Sequence, residues 1–251
     1  MKKAVFFDWD GTLSFDGNHM SPENRKAIRK LQKKGHLAFL CTGRSYAFIP
    51  EEALEFGFDG IVCGAGSHVI IGDKTIFRVS VPEDMVREIF HHFRSDGQTC
   101  VLEGEDAMFV INEGKSSHTQ WPVLKDPEDF DRFAAGHPIT KLTLYGTPGE
   151  ASKILLDNYF SLIVHPYYQE AVIKGCNKAT GIEKVLNDCH LTQRDSVSFG
   201  DSPNDLDMLR YTALSIVMGN APEEVKKTAD KITGTAEEHG VAEALKKWIL
   251  T

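Results

Sequence analysis

The chain has 251 residues, 41% of them hydrophobic and 25% charged, and a formal net charge of -8. That is enough for one large or two ordinary domains with buried cores, in a composition typical of globular proteins. The acid excess argues against a general nucleic-acid or anionic-membrane binder, which needs a basic face. It leaves room for an anionic substrate, because a bound cation reverses the potential locally.

From Ala4 to Phe7 every position is apolar, the pattern of a strand buried on both faces of a parallel sheet, and the run ends in Asp8-Trp9-Asp10-Gly11-Thr12. Residues two apart on a strand face the same way, so a strand continuing to Asp10 would crowd two like charges. Gly11 lets the chain turn and separates them. A turn built on solvated aspartates gives the same pattern. The apolar run after Met1 is too short for a signal peptide, and no stretch reaches bilayer length. Cys41, Cys63, Cys100, Cys176 and Cys189 are odd in number and lack metal-type spacing, so free thiols in a reducing compartment are expected. A cytoplasmic protein away from membranes is the expectation.

Ser21-Pro22 fits the cap and first position of a helix, with Ala27, Ile28 and Leu31 on one face and Gly35 as its stop. Residues 37–41 form a second apolar strand, which the right-handed crossover places beside the first. It ends in Thr42-Gly43-Arg44, where a threonine also serves as an ordinary turn or cap residue. Residues 45–58 read as a helix that Pro50 breaks or restarts. Residues 61–63 read as a strand and Gly64-Ala65-Gly66 as a plain loop. Residues 69–71 and 75–77 read as a hairpin turning at Gly72-Asp73.

The pattern changes at Val81-Pro82. Met85, Val86, Ile89, Phe90 and Phe93 share a helical face, and strand-like pieces follow at 99–102, 108–111, 142–145 and 162–164. Helices mixed with antiparallel-looking strands mark a separate α+β domain, residues 82–174, inserted into a core made of 1–81 and 175–251. Glu103, His165, Tyr167 and Tyr168 lie in it without an assigned role.

The strand-helix alternation then returns. Ile182, Val185, Leu186 and Cys189 line one helical face, and Lys178 stands at its start. A cation there faces the positive end of the helix dipole, at a cost of about a few tenths of a kcal/mol. That suits an anion site, and a solvated lysine is the plain alternative. Strand 197–199 ends in Gly200-Asp201-Ser202-Pro203-Asn204-Asp205, with Ser202 and Pro203 fitting a helix cap and first position. Asp205 then falls in a first turn, where acids are ordinary. Strand 214–218 ends in Gly219-Asn220, Pro222 opens a charged helix, and Val241, Leu245, Trp248 and Ile249 share a face of the last one.

Four strands thus end in polar clusters, and in a parallel sheet those ends share one edge. The helix begun by Lys178 feeds the strand leading to Asp201, so Lys178 reaches the same edge. Carboxylates gathered there repel unless a cation sits among them, and oxygen-only donors favour Mg2+. A divalent ion, one lysine and a hydroxyl suit a phosphoryl group, whose transfer needs positioning and charge neutralisation.

The ordered set Asp8-Trp9-Asp10-Gly11-Thr12, Thr42-Gly43-Arg44, Lys178 and Gly200-Asp201-Ser202-Pro203-Asn204-Asp205 resembles the four motifs of haloacid dehalogenase-like phosphatases of the Cof type. The resemblance spans nearly the whole chain. It implies an α/β fold, a Rossmann-like parallel-sheet core with an inserted cap that selects the substrate. It further implies a Mg2+-dependent phosphatase acting on a small phosphorylated metabolite. Asp8 would be the nucleophile that becomes an aspartyl phosphate and Asp10 the general acid and base. Thr42, Gly43, Arg44 and Lys178 would surround the phosphoryl group. Asp8, the carbonyl of Asp10 and Asp201 would hold Mg2+, with Asn204 and Asp205 supporting that shell. Two positions depart from the family pattern. Ser202 replaces a glycine, and Gly64-Ala65-Gly66 stands where Asn-Gly-Ala is common. A phosphomutase of the same superfamily and a phospho-acceptor signalling domain are the alternatives.

Overall fold

The computed structural model describes residues 2–112, 114 and 120–250. The chain begins with β1 (Ala4–Phe7), α1 (Pro22–Lys33), β2 (Leu37–Cys41), α2 (Glu51–Glu55), β3 (Gly60–Cys63), β4 (His68–Ile71) and β5 (Lys74–Arg78). It continues through α3 (Glu83–Asp96), β6 (Thr99–Gly104), β7 (Met108–Ile111), β8 (Val123–Leu124), α4 (Pro127–Asp129), β9 (Ile139–Tyr145), α5 (Glu150–Tyr159), β10 (Phe160–Val164) and β11 (Gln169–Ile173). It closes with α6 (Lys178–Asp188), β12 (Ser196–Gly200), α7 (Leu206–Tyr211), β13 (Leu214–Val217), α8 (Glu223–Lys226), β14 (Lys231–Ile232) and α9 (Gly240–Ala244). Two units emerge. The first takes residues up to Arg44, Ile49–Arg78 and everything from Asn177 on; the second takes Ser45–Phe48 and Val79–Cys176.

The first unit is built on an eight-stranded sheet in the order β14-β13-β12-β1-β2-β3-β4-β5. It is parallel from β14 to β3, and the β3–β4 and β4–β5 pairs are antiparallel. Strand order reverses at β1, which has β2 on one side and β12 on the other, and open α/β sheets take ligands beyond the strand ends at such a point. Ring pairs fix the register there. Phe6 stacks on Phe39 and Phe7 on Phe199, each with centroids 5.1 Å apart, and in each pair the two residues face one another across the ladder. Such a pair adds about 0.5–1.5 kcal/mol beyond the area it buries. Because Phe6 and Phe7 point to opposite faces, both sides of β1 are pinned.

Helix α1 starts where the sequence signals it: Ser21 Oγ accepts from Asn24 N at 3.2 Å, Pro22 takes the first turn, and Ala27, Ile28 and Leu31 are buried. Buried Asn24 uses Oδ1 to accept from Ala242 N at 2.9 Å, tying α1 to α9. The break expected at Pro50 within residues 45–58 is present. No single helix forms; a 3-10 turn at Tyr46–Phe48 is followed, after Pro50, by the five residues of α2. Proline removes an amide donor and restricts the residue before it, so the helix restarts rather than continues. Gly64–Gly66 is also more than a plain loop, being a 3-10 turn with all three residues buried.

The second unit carries a six-stranded sheet in the order β10-β11-β9-β6-β7-β8, antiparallel apart from the β7–β8 pair. One face packs Leu102, Phe109, Leu142, Leu144 and Ala171 against Ile89, Phe90 and Phe93 of α3 and Leu156 of α5. The other face gathers Val101, Met108 and Val110, with Trp121, Val123 and Tyr145 against them. Strand β9 is consequently buried along both faces over six of its seven residues, polar positions included. Among the described residues no helix is long and apolar enough to cross a membrane, and all five cysteines are free thiols.

Candidate active site

Asp8 follows β1, Thr42 follows β2, Asp201 follows β12 and Asn220 lies just past β13, all at the carboxyl edge of the first unit's sheet. Lys178 joins them from the first turn of α6. Its ammonium, 1% exposed, donates to Asp8 Oδ1 and to Asp205 Oδ1, each at 2.6 Å. The helix start behind it is built from side chains. Asn177 Oδ1 accepts from Thr180 N at 2.8 Å, and Thr180 Oγ1 accepts from Asn177 N at 3.0 Å. The charge that sits badly at a helix start is thus held there by two carboxylates.

Gly66 sets how closely this helix start approaches β3. Its φ is +94°, and a Cβ placed on it would overlap the carbonyl oxygen of Asn177, the residue before Lys178. The close approach is to the protein's own backbone rather than to a ligand. Gly66→Ala should therefore cost at least about 2 kcal/mol, from positive φ and overlap together. A fall in the urea midpoint at unchanged slope measures it; an unshifted midpoint would mean that α6 can retreat freely.

Asp205 is fully engaged. Besides the lysine on Oδ1, its Oδ2 accepts from the amides of Asp201 and Ser202 at 2.9 and 3.0 Å. Ser202 replaces the family glycine without backbone strain, since its φ is -122°, and its hydroxyl donates to Asn204 Oδ1 at 2.8 Å. Asp201 Oδ1 accepts from Thr12 Oγ1 at 2.9 Å, and Asn220 Nδ2 donates to Gly11 O at 2.9 Å and lies 3.4 Å from Asp201 Oδ2. Gly11, at φ +78°, passes so near Asp201 that a side chain there would overlap the carboxylate.

Asp10 stands apart from this buried group. Its side chain is 49% exposed and takes a two-pronged ion pair from Arg44, Nε to Oδ2 at 2.8 Å and Nη2 to Oδ1 at 2.6 Å. Arg44 Nη2 also donates to Gly17 O at 2.9 Å. Arg44, expected beside the phosphoryl group, is thus engaged with the carboxylate expected to move protons. Thr42 is buried, and its Oγ1 accepts from Arg44 N at 3.1 Å; Gly43 is buried beside it. Gly64 N donates to Arg44 O at 2.7 Å.

Burial pushes the Asp8 carboxyl well above its usual range, and Asp205, Asp201 and Asp10 push the same way against Lys178. Burial, then Asp205, raises Asp201 to about 7. Lys178 loses hydration through burial, but Asp205 and Asp8 outweigh this and hold its ammonium form far above the ordinary lysine value. Three carboxylates against one ammonium leave the buried group with a formal surplus of two negative charges.

One oxygen each from Asp8, Asp201 and Asp205 lie within 4.8 Å of one another, so the donor set fits a hard divalent cation such as Mg2+. Asp205 has both oxygens engaged, which leaves Asp8 and Asp201 as the carboxylates with capacity for a cation and Asp205 as their support. Thr12 is the site residue that sequence reasoning did not single out. Its only signal is its place in the Asp-Gly-Thr turn.

The family profile of haloacid dehalogenase-like hydrolases matches residues 5–245. Among curated proteins, YkrA of Bacillus subtilis (strain 168) is 29% identical over 254 residues, covering 98% of this chain and 97% of its own length. The 5-amino-6-(5-phospho-D-ribitylamino)uracil phosphatase YcsE of the same organism is 29% identical over 259 residues, covering 99% and 96%. Among solved structures, the phosphatase BT1666 of Bacteroides thetaiotaomicron aligns with a TM-score of 0.83 at 25% identity, over 100% of this chain and 96% of that one.

Proposed function

The chain belongs to the haloacid dehalogenase-like hydrolases, and we propose that it is a Mg2+-dependent phosphatase that removes the phosphoryl group from a small phosphorylated metabolite through a covalent intermediate on Asp8. The observation that carries the reading is the buried carboxylate of Asp8 at the end of β1, with the Lys178 ammonium 2.6 Å from Oδ1. Relatives that act on phosphorylated metabolites, YcsE among them, support the substrate class.

Lys178 fixes one oxygen of Asp8, so Oδ2 is the nucleophile. It attacks phosphorus as the ester bond breaks, and Asp10 gives its proton to the departing alkoxide. A water molecule then returns a proton to Asp10 while its oxygen attacks the aspartyl phosphate, releasing inorganic phosphate and restoring both carboxyl groups. Thr42 donates its hydroxyl to a phosphoryl oxygen, and Gly43 and Arg44 shape the same corner. Lys178 neutralises charge shared between Asp8 and the phosphoryl group. Asp8, Asp201 and the Asp10 carbonyl would hold Mg2+, with Asn204 and Asp205 behind them, and the bound ion would further neutralise phosphoryl charge. In this reading the insertion at residues 82–174 is a cap that selects the alcohol portion. Free thiols and the acidic balance fit a cytoplasmic enzyme without nucleic-acid or membrane partners.

Phosphate release from p-nitrophenyl phosphate in Mg2+, followed over many turnovers, tests the reading. A single stoichiometric burst would point to a phospho-acceptor domain, and an isomerised ester without free phosphate to a mutase. Asp10→Asn should lower kcat on alkyl phosphates by about 10²–10⁴-fold, because both proton transfers are lost. The variant should accumulate a protein heavier by one phosphoryl group in quenched mass spectra. Unchanged kcat would remove Asp10 from proton transfer.

A further inference from the structure

Asn220 makes three directed contacts that no step above uses. It is exposed just past β13, where an asparagine ordinarily serves a turn by bonding its own neighbours. Its partners lie far along the chain instead, 16, 19 and 209 positions away. Its Oδ1 accepts from Ala236 N at 2.9 Å. A backbone donor on that atom settles which end of the side chain is oxygen, so Nδ2 faces Gly11 O at 2.9 Å and Asp201 Oδ2 at 3.4 Å. Each of the two Nδ2 hydrogens thus has one acceptor.

The segment that supplies Ala236 N is itself braced. Thr233 N donates to Val217 O and Gly219 N to Gly234 O, both at 3.0 Å, which seats this segment along the end of β13. Thr233 Oγ1 donates to Gly240 O at 2.7 Å and Gly240 N to Thr235 O at 2.9 Å, closing the loop on itself. Held from that side, the Asn220 amide works as a strut rather than as a mobile surface group.

The strut bears on the two segments that carry the expected cation donors. One is the turn after β1, where Gly11 follows the carbonyl of Asp10; the other is Asp201 after β12. Fully buried Thr12 holds the second oxygen of Asp201, its Oγ1 donating to Oδ1 at 2.9 Å. Each oxygen of Asp201 therefore meets one neutral donor. Neutral donors fix a carboxylate without cancelling the charge that a divalent cation needs, whereas the Lys178 ammonium matches the charge of Asp205.

We propose that Asn220 is a positioning residue for the cation: it holds the Asp201 carboxylate and the turn carrying Asp10 in the arrangement that seats a divalent ion, with Thr12 as its counterpart on the other Asp201 oxygen. The proposal rests on the Mg2+-dependent phosphatase reading and deepens it. Asn220 touches neither the phosphoryl group nor the ion in this role. Its effect passes through Asp201 and the Gly11 carbonyl.

The test titrates Mg2+ alone into the parent, Asn220→Ala and Thr12→Val, with binding followed by calorimetry and without substrate. Asn220→Ala should raise the Mg2+ dissociation constant by about 10–100-fold, the usual effect of removing a group that orients a metal ligand. Thr12→Val, which keeps the buried shape and removes the other donor, should raise it likewise. Turnover of p-nitrophenyl phosphate by Asn220→Ala should return as Mg2+ is raised by the same factor, because Asp201 itself is still present. A Mg2+ constant within twofold of the parent's in folded Asn220→Ala would overturn the role of Asn220 and leave the phosphatase reading intact. So would a loss of turnover that excess Mg2+ does not restore, since the residue would then act elsewhere than on the cation. A parent that binds no Mg2+ would overturn both this role and the metal-dependent reading.

Discussion

Asp8→Asn is expected to give a folded protein that has lost phosphatase activity by about 10⁴-fold or more. The amide occupies the same volume but offers no anionic oxygen to phosphorus, and nothing else at the sheet edge can take its place. Asp205 has both oxygens committed, and Asp201 is held by Thr12 with Asn220 alongside. The fold should survive for an electrostatic reason. Asp8, Asp201 and Asp205 face one ammonium, so removing one carboxylate lowers the local surplus from two negative charges to one while Lys178 keeps Asp205. Without metal, the melting temperature of the variant should equal or exceed that of the parent. Activity within tenfold of the parent, measured on protein shown to be free of deamidated material, would refute nucleophilic attack by this residue.

The parts of this site that could be read from sequence are those where one residue type has few reasons to be present. A strand buried on both faces must be apolar throughout, so the stop from Phe7 to Asp8 is abrupt and legible. Lys178 was legible for the opposite reason, as a charge placed where the helix dipole disfavours it. The α/β class followed from the alternation of such strands with one-faced helices, and β2 lies beside β1 as the crossover argument placed it. Less legible were features set by contacts between distant segments. The role of Gly66 depends on where Asn177 arrives, and the bond from Thr12 to Asp201 spans 189 positions. Residues 142–145 alternate as a half-buried strand does, which leaves one side for water. The structure buries that polar side as well, which alternation cannot signal. Glu103 therefore stood without a role in the sequence, and Lys141, whose ammonium lies 3.3 Å from its carboxylate, did not stand out at all.

Stripping divalent cations with excess EDTA is expected to abolish turnover, and returning Mg2+ to restore it while raising thermal stability. The physical basis is the charge surplus around Asp8 and Asp201, which the protein's own lysine does not cancel. A ligand that binds only the folded state stabilises it by about 2.7 kcal/mol at a hundred times its dissociation constant, enough to move a melting curve by several degrees. The pH dependence fixes the sign. Asp201 titrates near 7 when folded against an ordinary value of 3.8, so between those values the folded protein holds more protons than the unfolded one. The metal-free protein should therefore lose stability as pH rises through that window. Protons and Mg2+ compete for the same carboxylate, so stabilisation by Mg2+ should be larger at pH 8 than at pH 5.5. Asp201→Asn should remove most of the Mg2+-dependent shift and leave the metal-free protein less sensitive to pH. The melting experiment is independent of turnover. A Mg2+ shift that is absent in the parent, or equal at both pH values, would exclude a cation seated on these carboxylates.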